Sequence, residues 1–400
     1  MIIAEKAALN RAGNNIRLSI NPGSCKDFYK LSKSTVKIKN IIELLENLAS
    51  PSYQESYDNA GLITGDLSWQ CTGVLCTLDA TEKVILEAKE KGSNLIVAHH
   101  PVIFGGLKKI TGKSYVERAI IAAIKNDIAI YAIHTNLDNL ITGVNGRMAD
   151  KLDLKKRKVL QYRQHSLMKL VVFVPVNDAE KVREAIFIAG GGKIGQYSEC
   201  SFNAKGTGTF KPGAGTNPYI GEVGKREITD EEKIEVIFPV YLKDKLVSAM
   251  TKAHPYEEVA YDLIGLINDF NEAGSGLIGE LPEEMNGTSF LQFIKKQFDL
   301  QVIRHTPLLE KKVKKVALCG GAGSFLIKNA LSAQADFYIT SDVKYHEFFD
   351  AENRMVIADI GHWESEQFTI DLLYDFLHSK ITTFAVRKSE IKTNPVNYFT

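Results

Sequence analysis

The sequence predicts an α/β protein: one domain with parallel-rich sheets, split along the chain, and a ferredoxin-like α+β domain inserted between its halves. Three features predict it. Short apolar runs alternate with helical patterns in the first part, the order of elements changes near residue 165, and the first pattern returns past about residue 280. A length of 400 residues suits two or three domains.

Residues 1–35 are polar and lack periodicity, and Pro22-Gly23-Ser24 and Ser32-Lys33-Ser34 read as irregular. They are expected to form a poorly ordered extension. From Val36, the spacing of Ile38, Ile41, Ile42, Leu44, Leu45 and Leu48 predicts an amphipathic helix. Gly73 to Leu78 reads as a strand and Glu82 to Lys91 as a helix. Asn94 to Ala98 is the apolar run of a strand buried on both faces. Ser114 to Asn126 then reads as a helix and Ile128 to Ile133 as a second buried strand. Such alternation implies a parallel sheet covered by helices.

In the middle of the chain, Met168 to Val176, Ile234 to Val240 and Ala260 to Leu266 read as strands. Ala179 to Ile188 and Lys243 to Lys252 read as helices, with a glycine-rich stretch from Gly190 to Gly215 between them, of which Gly206 to Gly215 reads as a flexible loop. This order suggests a ferredoxin-like module. Strands at Lys315 to Leu318, Phe337 to Thr340 and Met355 to Asp359 follow, with helices at Phe325 to Leu331 and Ser365 to His378. The expected domains are therefore 36–165 with 280–400, and 166–279.

Composition excludes several classes. Charged residues are 24% and hydrophobic residues 44%, and 49 Lys+Arg offset 48 Asp+Glu. No global field draws the chain to nucleic acid or to an acidic membrane. No apolar run approaches the roughly 18 residues of a membrane span. The five cysteines form no Cys-x-x-Cys pair, which fits a reducing, cytoplasmic setting better than a disulfide framework.

Ligands of open parallel sheets bind beyond the carboxyl ends of the strands. His99-His100-Pro101 follow one predicted strand and His134-Thr135-Asn136-Leu137-Asp138 another. Ser341-Asp342 and His346 follow a third, and Gly361-His362 with Glu366 a fourth. These segments hold five of the nine histidines. Each piece alone has a plain reading: a surface histidine, a polar turn, a helix start. Together, imidazoles and carboxylates on one rim suit divalent Zn, Fe, Mn, Co or Ni. His362 and Glu366 lie four apart and share a helix face. More ligands than one structural zinc needs, and no cysteine among them, favour an open or dinuclear site. Such a site would hold His99, His100, Asp138, His362 and Glu366, with a bridging hydroxide as nucleophile. His134 and His346 remain as candidate catalytic proton carriers.

The run Cys319-Gly320-Gly321-Ala322-Gly323-Ser324 joins a strand to a helix. Its amides would suit a phosphate, but it matches no nucleotide fingerprint, and close packing is the favoured reading. Cys319 ends an apolar strand and reads as a packing residue.

Several segments, in this order, resemble the Nif-three-like family: Tyr57-Asp58-Asn59-Ala60-Gly61-Leu62, Ala98 to Pro101, His134 to Asp138, Thr340-Ser341-Asp342 with Tyr345-His346, Asp359 to Glu366, and Thr393-Asn394-Pro395-Val396. Members are often labelled GTP cyclohydrolase 1 type 2 homologues. The resemblance runs from about Val36 to Phe399. It implies a dinuclear centre on the same five residues and a toroidal homohexamer whose sites face an inner cavity. It also implies that the insert is PII- or CutA-like, because His254-Pro255-Tyr256-Glu257-Glu258 is similar to a motif there. Trp363 and Tyr57 depart from the family's usual tyrosine and tryptophan, at no ligand position. The label implies attack of hydroxide on C8 of GTP with loss of formate. The expectation is a metal-dependent hydrolase of a nucleotide or related small molecule, the alternatives being a non-catalytic ligand sensor and a metal-delivery protein.

Overall fold

The structure, a computed structural model, describes residues 36–399; the expected N-terminal extension lies outside them. Helix α1 (Ile38–Leu48) buries Ile38, Ile41, Ile42 and Leu45, the stripe its periodicity predicts. After it come β1 (Gly61–Thr64), β2 (Val74–Asp79), α2 (Glu82–Glu90), β3 (Leu95–His100), α3 (Tyr115–Lys125), β4 (Ala129–Ala132), α4 (Thr135–Asp138) and α5 (Val144–Lys151). The hydroxyls of Thr81 and Ser114 accept from the backbone N–H of Val84 and Glu117, fixing where α2 and α3 start. Then follow β5 (Lys155–Tyr162), β6 (Leu167–Pro175), α6 (Ala179–Ile188), β7 (Phe202–Phe210), β8 (Glu227–Pro239), α7 (Lys243–Ala253), β9 (Tyr261–Leu266) and β10 (Gly274–Met285). The chain ends with α8 (Gly287–Gln297), β11 (Arg304–His305), β12 (Val313–Ala322), α9 (Ile327–Ser332), β13 (Phe337–Ser341), β14 (Val356–Asp359), α10 (His362–Glu366), α11 (Thr369–Lys380) and β15 (Val386–Lys388).

These strands build three sheets, ordered β1-β4-β3-β2-β15, β11-β14-β13-β12-β10-β5 and β7-β8-β6-β9. In the first, β15, β2, β3 and β4 are parallel and β1 is an antiparallel edge. Alternate residues serve opposite layers. Val74, Cys76, Leu95, Val97 and Tyr131 join α1 and α11 in one core, while Leu75, Ile96 and Ile130 join α2 and α3 in another. In the second sheet β12, β13 and β14 are parallel, flanked by antiparallel β10, β5 and β11. The third is wholly antiparallel. Its strand order is that of the ferredoxin-like β-α-β-β-α-β module, with Leu170, Val172, Val174, Ile234 and Val236 packed among residues of α6 and α7.

The structure corrects the element reading in three places. Strand β3 continues through His99 and His100 rather than stopping before them, because His100 still pairs with Asp79 of β2. Part of the glycine-rich stretch is the edge strand β7, paired residue by residue with β8; a backbone ladder needs no apolar side chains. The four strands that carry the site residues do not share a sheet: β3 and β4 belong to the first, β13 and β14 to the second.

Candidate metal centre

The cluster forms where the carboxyl ends of these two pairs of parallel strands meet. His99 is fully buried in β3. Its Nδ1 lies 2.9 Å from the Ile133 carbonyl. A carbonyl only accepts, so Nδ1 carries the proton and Nε2 presents a lone pair. That Nε2 lies 3.5 Å from Asp138 Oδ1 and 3.9 Å from Glu366 Oε1. His99 Nε2 and Asp138 Oδ1 are both buried without a hydrogen-bond partner. Two buried acceptors face each other with no donor between them, an arrangement that a cation satisfies.

His100 points its Nδ1 at Asp79 Oδ1 (2.8 Å) and its Nε2 at Glu366 Oε2 (2.9 Å). His362 repeats the pattern, with Nδ1 2.6 Å from Asp342 Oδ2 and Nε2 3.2 Å from Glu366 Oε2. His134 has Nδ1 2.8 Å from Asp58 Oδ1. Asp58 is itself pinned by the Thr135 N–H and hydroxyl, at 3.1 and 2.6 Å. A carboxylate or carbonyl behind each imidazole fixes its orientation, as around ligating histidines generally. Ligand atoms of His99, His100 and His134 lie within 4.8 Å of one another, and so do those of His100, His362 and Glu366. Either group could hold a metal ion.

Electrostatics follow from burial and these contacts. Burial drives the His99 imidazole down to about 3, so it is neutral. Burial also opposes charge on His100 and His362, but hydrogen bonds outweigh it. Asp79 and Glu366 hold His100 at about 10, and Glu366 and Asp342 hold His362 at about 9. Burial pushes the Asp138 carboxyl up to about 7. Glu366 is also disfavoured by burial, yet His100 and His362 keep it well below the usual carboxylate range. In the same way His134 and Thr135 bring Asp58 down to about 2 against its burial.

Backbone and closing segment hold the frame. Asn145 donates to the Asp138 carbonyl and accepts from the Gly320 N–H, tying α5 to the end of β12. The Gly321 N–H donates to Ser365 Oγ. The amides of Gly320 and Gly321 are thus occupied, which favours close packing over a phosphate cradle at these two positions. Burial pushes the Cys319 thiol well up, which leaves it inert. Near the C-terminus, the Thr393 hydroxyl donates to Asp79 Oδ2 and the Asn394 amide to Glu364 Oε1. One short segment therefore braces the first sheet and α10 together.

All five expected ligands, with His134, meet in this cluster. His346 does not: it is exposed on the turn Tyr345–Ala351, stacked near Phe349, and is not among the residues that border the cleft. Sequence reasoning gave Asp58 and Asp79 no role. Asp79 carried a readable signal, an acidic residue closing a buried strand beside the one that ends in His100. Asp58 had none, since an Asp-Asn turn looks the same with or without a histidine above it.

The cleft over the cluster has a volume of about 1080 Å³ and is bordered by Tyr57, Phe104, Arg163, Arg304, Phe325 and Trp363 among others. Fold and site define an α/β protein with a histidine–carboxylate cluster at its strand ends. This chain belongs to the Duf34/NIF3 (NGG1p interacting factor 3) family, whose model matches residues 36–395. It is 47% identical over 332 residues to the GTP cyclohydrolase 1 type 2 homolog of Halalkalibacterium halodurans, covering 82% of this chain and 89% of that one. It is 38% identical to the Bacillus subtilis protein of the same name, covering 91% and 99%. Among solved structures, the Bacillus cereus protein related to NIF3 aligns with a TM-score of 0.81 at 39% identity, over 91% of this chain and 99% of that one. No helix of the described residues is long and apolar enough to cross a membrane.

Proposed function

We propose that this chain is a metal-dependent hydrolase of a nucleotide or related small molecule, with two divalent ions held by His99, His100, Asp138, His362 and Glu366. The observation that carries the reading is the facing pair of buried, unpartnered acceptors, His99 Nε2 and Asp138 Oδ1. Beside them, Glu366 is shared by His100 and His362. Bound divalent ions would supply a water ionised to hydroxide near neutral pH.

The protein's own groups do the rest. His134, oriented by Asp58, borders the cleft and carries a proton between substrate and solvent. Arg163 and Arg304 offer charge to an anionic substrate, and Tyr57, Phe104 and Phe325 offer ring faces to a base. Trp363 borders the same cleft, and its buried indole N–H has no hydrogen-bond partner among the described residues. The relatives' name makes GTP the first substrate to try: hydrolytic opening of its guanine ring at C8, with that carbon released as formate. The chains are further proposed to assemble as a homohexamer in the cytoplasm, with the insert as a PII- or CutA-like module; light scattering reads the assembly directly.

The test is formate and phosphate release from GTP by protein loaded with Mn, Fe, Co or Zn. Turnover that disappears in His99→Ala supports the reading. No product with any metal, or equal product from His99→Ala, sinks it.

A further inference from the structure

Residues 389–398, after β15, touch the two halves of the metal centre in turn. Strand β15 pairs in parallel with β2, and the Ser389 N–H donates to the Cys76 carbonyl at 2.9 Å. The segment therefore sets out beside the strand that ends in Asp79. From there its side chains alternate between two neighbours. Ile391 packs against the core between the first sheet and α2 and α3. Lys392 Nζ lies 4.9 Å from the centre of the Trp363 ring on α10. The Thr393 hydroxyl donates to Asp79 Oδ2 at 2.5 Å, and the Asn394 amide donates to Glu364 Oε1 on α10 at 2.9 Å. Odd positions thus meet the first sheet and even positions meet α10, the period of two of an extended chain.

The two polar contacts reach the groups directly behind the ligands. Asp79 Oδ1 orients His100, so Thr393 occupies the other oxygen of the same carboxylate. Glu364 is buried in α10 between His362 and Glu366, and its Oε2 lies where a Cβ on Gly361 would come within 2.3 Å. Such a stitch answers a need set by the topology. His99 and His100 end β3 of the first sheet, whereas His362 and Glu366 follow β14 of the second. No ladder pairs a strand of one sheet with a strand of the other among the described residues. Metal–ligand distances nevertheless tolerate only about 0.2 Å. We propose that Thr393 and Asn394 are positioning residues that hold the two halves of the centre at the separation its ions require. The inference rests on the reading of this cluster as a metal centre. It is distinct from plain tethering of the segment, for which Ser389 already serves: its hydroxyl donates to Glu87 Oε2 at 2.5 Å, on α2.

Cobalt titration of the full-length, metal-free chain, followed by visible absorption and by competition with a chelator, tests this. Thr393→Val should weaken binding about 10-fold, the lower end of the loss for groups behind a ligand, and should change the cobalt spectrum. Thr393→Ser keeps the hydroxyl and should restore both. Asn394→Ala should weaken binding likewise, and Asn394→Asp more, because it sets a second carboxylate against Glu364. Ser389→Ala loosens the same segment and should leave affinity and spectrum unchanged, with circular dichroism as the fold check throughout. Wild-type affinity in both Thr393→Val and Asn394→Ala, no restoration by Thr393→Ser, or an equal loss in Ser389→Ala overturns the proposal. A wild-type chain that takes up no cobalt instead sinks the metal reading itself, and this inference with it.

Discussion

Replacing Gly321 with alanine adds one methyl group where β12 runs closest to Glu366. Gly321 has φ of +63°, a left-handed conformation that costs an L-residue roughly 1–2 kcal/mol. A Cβ there would lie 2.3 Å from Glu366 Oε1 and 3.5 Å from His362 Cε1. Carbon and oxygen prefer a separation of roughly 3.5 Å, so the carboxylate must retreat by about 1 Å. Metal–ligand distances tolerate only about 0.2 Å. Glu366 is 3% exposed and its other oxygen is held by His100 and His362, so it cannot swing aside without breaking those bonds. Metal affinity should therefore fall at least 10- to 100-fold, the loss typical of disturbing even the groups behind a ligand. The backbone cost is small against a typical stability of about 5–15 kcal/mol, so the fold survives. Elemental analysis after zinc loading and dialysis reads the effect, with far-ultraviolet circular dichroism as the fold check. Gly265→Ala, where nothing lies within 4 Å, is the control. Full metal content at unchanged affinity in Gly321→Ala would falsify the placement of Glu366 at the ion.

Three further outcomes are expected. Asp79→Ala removes the acceptor behind His100 and should weaken metal binding by about 10- to 100-fold in a chelator competition; an unchanged affinity would mean the imidazole needs no such support. Removing metal should lower the thermal unfolding temperature, since ions at a hundred times their Kd add about 2.7 kcal/mol, and a melting curve indifferent to zinc would count against a structural contribution. Asp336 accepts from the Lys314 and Lys315 N–H groups and pairs with Lys311; burial opposes its charge, but these contacts lower its pKa below 3.8. Its stabilisation is thus present above the unfolded value and lost as pH falls through the lower folded one. Asp336→Asn should cost about 1 kcal/mol at pH 7, discounted for the half-exposed Lys311, and progressively less toward pH 3 in denaturant titrations. A cost independent of pH would refute the charge argument.

Where burial is two-sided, the fold was legible. Leu95 to Ala98 and Phe337 to Ile339 are continuous apolar runs because both faces of their sheets are covered by helices or loops. Strand β5, with Lys155, Lys156 and Lys158 largely exposed, and the edge strand β7 carry no such signal; the ladder alone makes them strands. Strand β10 hides its role behind Gly274, Gly276 and Gly279, whose missing side chains admit the backbone or side chains of β5 and β12. The ligand histidines, with Asp138 and Glu366, were readable because they close or follow recognisable strands, whereas Asp58 and Asp79, which orient His134 and His100, were not read. That those strands belong to two sheets was not readable either, since nothing local to β4 or β13 records which sheet its neighbours build.

The protonation of the cluster leads to one more consequence. Without a cation, His100 and His362 sit on either side of Glu366 and keep their protons to about pH 10 and 9. Those protons occupy the lone pairs that a metal ion must take. At neutral pH both imidazoles lie below their folded pKa values, so ion uptake must expel protons, and metal affinity must rise with pH until both are neutral. His99 contributes nothing to this exchange, because burial has already stripped it. Adding zinc to metal-free protein in weak buffer at pH 7 should release protons, about two per chain from His100 and His362 and a fraction more from Asp138, seen with an indicator dye. The same experiment on Glu366→Gln should release fewer, because the carboxylate that held those protons is gone. Zinc binding with no proton release would mean the ion sits elsewhere and leaves the His100–Glu366–His362 bridge intact.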